Sequence, residues 1–173
     1  MNSNYDDCLA VILHHEGGFS NNIHDPGGVT NLGVTKKAWE AYVKHTVSVD
    51  DMKALTVDDI TPFYKSQYWD KVAGDALSAG IDLCVFDFGV NAGTGRSAKF
   101  LQKVVGAGQD GAIGNGTLSL VNDYISANSV EDLIDALCDA RLAYYKSLST
   151  FKFFGKGWTA RVEGIRVKAK SMV

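Results

Sequence analysis

The sequence predicts a mostly α-helical domain of two lobes, and three observations carry that prediction. Apolar residues recur at helical spacing through most of the chain, while strand-like alternation is scarce. Only two prolines, Pro26 and Pro62, interrupt it, so helices have room to run. A length of 173 residues with 46% apolar and 21% charged side chains suits a water-soluble globular unit. Such a unit buries roughly two-thirds of its unfolded surface and needs no staple. The expected division is a first lobe over 1–90 and a C-terminal helical lobe over 91–173, together forming one unit.

The first helix is expected over about Asn4–Glu16, where Tyr5, Cys8, Leu9 and Ile12 share a face, and Gly17-Gly18 stops it. Phe19–Val34 is polar and glycine-rich, with Asp25-Pro26-Gly27-Gly28 a strong turn signal, and leaves room for a short β-hairpin around 19–34. A helix over Thr35–Lys44 follows, then a variable-looking stretch. Thr56-Val57-Asp58-Asp59 has the form of a capping box and opens a helix toward Tyr68-Trp69. Ala79–Val90 is apolar all round and reads as the central core helix. Beyond the turn Asn91–Gly95 come helices from Arg96 to Val105, from about Thr117, from the Ser129 cap to about Leu148, and from near Gly157. Gly106–Gly116 between two of them is a second glycine-rich loop.

Composition excludes several classes of function. No apolar run approaches a membrane span, and the polar, acidic start Met1–Asp7 lacks the basic and apolar regions of a secretory signal. The chain is thus expected to be made in the cytoplasm. Cys8, Cys84 and Cys138 are odd in number, far apart and set in apolar patterns, so they read as buried thiols rather than a disulfide or metal framework. A net charge of −3 gives no overall reason to bind nucleic acid.

The most informative feature is Glu16-Gly17-Gly18 followed by Asp25 and Thr30. Cleaving a glycosidic bond takes a carboxylic acid that protonates the leaving oxygen and a polar partner that positions water or stabilises the positive sugar transition state. Glu16 at a helix C-terminal end suits the acid, because the negative end of the helix dipole favours keeping the proton. Asp25, fixed by a proline and two glycines, and the Thr30 hydroxyl suit the partner. Composition alone equally fits an ordinary helix end and a plain turn.

The run Glu16-Gly17-Gly18-Phe19, then Asp25-Pro26-Gly27-Gly28-Val29-Thr30-Asn31-Leu32-Gly33-Val34-Thr35, closely resembles the signature of glycoside hydrolase family 108. The resemblance continues through Phe86-Asp87-Phe88-Gly89-Val90-Asn91-Ala92-Gly93, Ala98–Gln102 and Asp110–Gly114, and so covers most of the chain. It departs at Asn115-Gly116, where related sequences usually carry a proline. The resemblance implies a lysozyme-like fold and an N-acetylmuramidase of the phage endolysin kind, released to the wall through a holin lesion. Its substrate would be peptidoglycan glycan strands, its C-terminal part a peptidoglycan-binding region, and it would need no cofactor. Glu16 corresponds to the catalytic glutamate. The order Glu16, Asp25, Thr30 is also similar to that of the phage-type lysozymes, which implies a water-positioning role for the latter two.

Substrate contacts are expected from Asn31, from Asn91, which equally suits a helix cap, and from aromatics able to stack on sugars. Of Trp39, Tyr42, Tyr64, Tyr68 and Trp69, the last two are the better placed. A zinc site at His14-His15-Glu16 is disfavoured, since the i, i+4 pair of a His-Glu-x-x-His helix is missing. A lytic transglycosylase and a non-catalytic wall-binding module are the alternatives in function, and the chain is expected to be a monomer. From Lys146 onward seven cations stand against Glu163 alone. The final helix therefore either docks an apolar stripe of Trp158, Val162, Ile165, Ala169 and Met172 with solvated cations, or forms a basic amphipathic end that touches membrane or wall polymer.

Overall fold

The computed structural model describes residues 4–21 and 28–173. Among them are nine α-helices and one small antiparallel sheet in the order β1-β2-β3, so the mostly α fold class holds and the expected hairpin is present as three short strands. Contacts group the chain into two units, Leu9–Gln67 and residues 4–8 with Tyr68–Val173. No helix among the described residues is long and apolar enough to cross a membrane.

In the Leu9–Gln67 unit, α1 (Tyr5–His15) delivers Leu9 and Ile12 as buried residues. Strands β1 (Ser20–Asn21), β2 (Val29–Asn31) and β3 (Val34–Thr35) follow, registered Ser20 to Thr30 and Thr30 to Thr35. Leu32 and Gly33 join β2 to β3 with φ of 49° and 76°, the pair of positive values that a two-residue type I′ hairpin turn demands. Helix α2 (Lys36–Val43) starts where the Thr35 hydroxyl accepts the Ala38 N–H and ends on a left-handed Lys44. Helix α3 (Val49–Ala54) lies in the stretch that sequence left unassigned. Its capping box, Ser48 with Asp51, repeats the pattern of Thr56 with Asp59 at α4 (Val57–Tyr64). Trp39, Tyr42, Phe63 and Tyr64 form an aromatic cluster between α2 and α4.

The other unit is built on α5 (Ile81–Ala92), of which every residue from Ile81 to Gly89 is buried. Helix α5 packs on α6 (Thr94–Val105), α8 (Val130–Ser147) and α9 (Phe151–Lys170). An apolar surface on all sides needs covering on all sides. Of its two buried acids, Asp87 is met by Arg141 Nη1 at 2.6 Å and Arg161 Nη2 at 2.8 Å, so that charge is paired. Helix α7 (Asn115–Ala127) packs on α6 and α8. The glycine-rich loop before it is clamped by buried Gln102, whose amide donates to Asp110, Ala112 and Thr117 and accepts the Gly111 N–H. Gly111, at φ 84° and against the Gly95 carbonyl, allows the tight path.

All three cysteines are free and buried. Cys84 and Cys138 face each other between α5 and α8. Their hydrogen bond, and then burial, hold the Cys84 thiol well above the usual thiol range.

Candidate functional site

Glu16 follows the last residue of α1, and its N–H still donates to the Ile12 carbonyl at 3.1 Å, so its backbone continues the helix. The side chain is half-buried. Beside it stands the β2–β3 turn. A Cβ built on Gly33 would lie 2.8 Å from Glu16 Cγ, 3.0 Å from Glu16 Oε2 and 2.5 Å from the Tyr64 hydroxyl. Gly33 is therefore the gap in which an acid from α1 and a phenol from α4 approach one another. The Tyr64 hydroxyl donates to the Leu32 carbonyl at 3.0 Å, holding the turn in its left-handed conformation against the Glu16 side chain. Around Gly17 and Gly18 the space where a Cβ would stand is open to 4 Å.

Thr30 lies at the centre of β2, half-exposed, with Ser20 and Thr35 as its cross-strand partners. Residues directly opposite in an antiparallel pair share a face, so three hydroxyl residues, Ser20, Thr30 and Thr35, line one side of the sheet. Thr35 is engaged as the cap of α2. Asp25 lies outside the described residues, as do His24 and the Asp25-Pro26-Gly27 part of the turn.

The remaining expected contact residues have structural partners. Asn31 points to the opposite face of β2 from Thr30 and is buried. Its amide donates to the carbonyls of Met52 at 2.9 Å and of Lys53 and Leu55 at 3.4 Å, satisfying the C-terminal end of α3. Trp69 is 0% exposed. It sits edge-on to Tyr5 and Phe86, with its indole N–H on Asp75 at 2.8 Å, and so has no face left for a sugar. Tyr68, on the π-helical turn Lys65–Trp69, is half-buried. Exposed Asn91, in the last turn of α5, donates its amide to the Asp87 carbonyl at 2.9 Å. Among the described residues no group of three His, Cys, Asp or Glu side chains is arranged to hold a metal.

Sequence reasoning missed Ser20 and Gly33, and gave Tyr64 only a stacking role. The signal for the turn was present: Leu32-Gly33 between Thr30-Asn31 and Val34-Thr35 is a two-residue connection with glycine where positive φ is required.

The Glycosyl hydrolase 108 family matches residues 9–93. Among solved structures, SagA of Brucella abortus is similar over 99% of this chain and 97% of its own, with 42% identity and a TM-score of 0.86. No curated protein matches significantly. A full-length relative of that identity together with the family match decides the assignment. The chain belongs to the glycosyl hydrolase 108 family and is a glycoside hydrolase that acts on peptidoglycan.

Proposed function

We propose that this chain hydrolyses the β-1,4 bond between N-acetylmuramic acid and N-acetylglucosamine, with Glu16 as the general acid. The reading rests on one observation above the others. Glu16 is a half-buried carboxyl at a helix end, pressed against a glycine that leaves no side chain in the way, with the Tyr64 phenol anchored beside it. A carboxylic acid held in one position can deliver its proton to a leaving oxygen without first reorganising. In this reading the Thr30 hydroxyl, with Asp25 from the adjoining turn, orients water or stabilises the charge of the transition state. The separation of the Glu16 and Asp25 carboxyls sets the stereochemistry. About 6.5–9.5 Å leaves room for water and gives inversion, and about 5 Å gives retention.

Glycan strands are the partner, with Tyr68 the remaining aromatic for a sugar contact. The action is that of an endolysin, made inside the cell and released to the wall, with residues 91–173 as a helical part that supports wall binding. Digestion of purified peptidoglycan followed by mass spectrometry of the new ends tests the reading. It predicts reducing N-acetylmuramic acid ends carrying one added water. Anhydro ends would identify a lytic transglycosylase instead, and no new ends a binding module.

A further inference from the structure

The first turns of α9 carry an aromatic and basic surface that the hydrolytic site does not use. Phe153 and Phe154 are 71% and 56% exposed, although each is a large apolar side chain next to the other in sequence. They are the outer end of a run of rings. Buried Tyr145 lies 5.0 Å from half-buried Trp158, Trp158 lies 5.7 Å from Phe154, and Phe154 lies 6.4 Å from Phe153. The inner rings thus support the outer pair from the core.

Two exposed lysines flank them. Lys152 Nζ stands 4.9 Å from the Phe153 ring centre, and Lys156 follows one turn later on the same side of the helix. Among the described residues neither lysine forms an ion pair with a carboxylate, and no Asp or Glu occurs in sequence between Leu148 and Val162. The cations further along α9 are placed differently. Arg161 pairs with Asp87, Arg166 with Asp135, Asp139 and Glu163, and Lys170 with Asp135. Of the six cations on α9, three are thus matched by carboxylates, and two of the other three, Lys152 and Lys156, stand beside the exposed rings, with Lys168 near the far end of the helix.

From this arrangement we infer that Lys152, Phe153, Phe154 and Lys156 form a docking face for an anionic phospholipid bilayer. Phenylalanine rings enter the boundary between headgroups and acyl chains, and lysine stems of this length let the ammonium groups stay at the phosphates. Charge complementarity selects the occupant. A surface with two cations and no carboxylate is attracted to an anionic leaflet and gains little from a neutral one. A sugar platform fits less well, because the two exposed rings are inclined at 64° and carry no polar group for hydroxyls. Binding through this face would hold the enzyme at a membrane surface bordering the wall, where its substrate is.

Co-sedimentation of the full-length protein with vesicles tests the inference. One set contains phosphatidylglycerol in phosphatidylethanolamine, the other phosphatidylcholine alone. The protein is expected to pellet with the anionic vesicles, and less so as salt rises. Phe153→Ser with Phe154→Ser should lower the bound fraction at limiting lipid about tenfold, given the apolar surface removed. Lys152→Glu with Lys156→Glu should abolish the preference for anionic lipid, and both variants should release muropeptides from lipid-free sacculi at the unaltered rate. The inference is overturned if the wild type fails to pellet with anionic vesicles, or if both variants pellet as it does. It is equally overturned if the phenylalanine variant loses sedimentation with lipid-free sacculi, which would make the face a wall-polymer site.

Discussion

Replacing Gly33 by alanine puts a methyl carbon 2.5 Å from the Tyr64 hydroxyl and 2.8 Å from Glu16 Cγ. Comfortable contacts for a carbon lie near 3.5 Å, so about 1 Å of overlap must be relieved. Tyr64 cannot retreat easily: it is 1% exposed, packs edge-on to Phe63 and is hydrogen-bonded to Leu32. Glu16, half-buried at the end of its helix, is the group that moves. A displacement of about 1 Å in a reacting group costs on the order of 100-fold in rate. Stability falls as well. Alanine at φ 76° costs about 1 kcal/mol, and overpacking adds about 2 kcal/mol more. A total of about 3 kcal/mol lowers Tm by roughly 6–12 °C in a protein of this size. Gly106→Ala separates the two contributions, since Gly106 has the same φ of 76° with nothing within 4 Å. It should lose only the backbone part, about 1 kcal/mol. The assays are thermal unfolding by circular dichroism and release of reducing ends from purified peptidoglycan. A Gly33→Ala enzyme with an unchanged rate, or with a Tm loss no larger than that of Gly106→Ala, would refute the reasoning.

Three further outcomes follow from named contacts. Asn31→Ala leaves the carbonyls at the end of α3 without their donor and should cost about 2 kcal/mol in urea unfolding. Asp87→Ala strands the buried Arg141 guanidinium and should cost about 3–5 kcal/mol, appearing as a large fall in the unfolding midpoint. Burial pushes the Asp82 carboxyl up, against the hydrogen bonds it accepts from Asn4 and from the backbone. An acid whose folded pKa is raised favours the folded state while protonated, and that contribution is lost as pH rises from the ordinary aspartate range through the folded value. Asp82→Asn, which stays neutral, should therefore gain stability relative to wild type between pH 4 and pH 7. An unchanged difference across that interval would remove burial as the cause.

Much of the fold was legible because helices announce themselves locally. Caps at Thr56 and Ser129 and the all-round apolar surface of Ile81–Gly89 led directly to α4, α8 and α5. Helix α3 was passed over although Ser48 and Asp51 form the same box, because six residues are too few for apolar periodicity to show. Helix α9 begins at Phe151 rather than near Gly157, because tertiary packing overrides the low helix propensity of Gly155 and Gly157. The acid of the candidate site was legible as a carboxylate ending an amphipathic helix before two glycines. Its neighbours were not. Nothing local distinguishes Asn31, whose amide serves α3, from Thr30 beside it on the other face of β2. Likewise, Trp69 and Tyr68 are adjacent in sequence, but one is a core ring and the other half-exposed. Tyr64 meets Glu16 only through a turn that brings residues 48 positions apart to the same glycine.

The most direct test of the account is Glu16→Gln assayed on purified peptidoglycan by the release of reducing sugar, with circular dichroism and Tm as controls. Glutamine keeps the shape of the side chain but has no acidic proton to give. The account predicts a folded protein of near-native Tm whose rate falls by at least about 100-fold, the upper part of the contribution of an acid–base group. A folded Glu16→Gln protein that releases reducing sugar at the wild-type rate would contradict it.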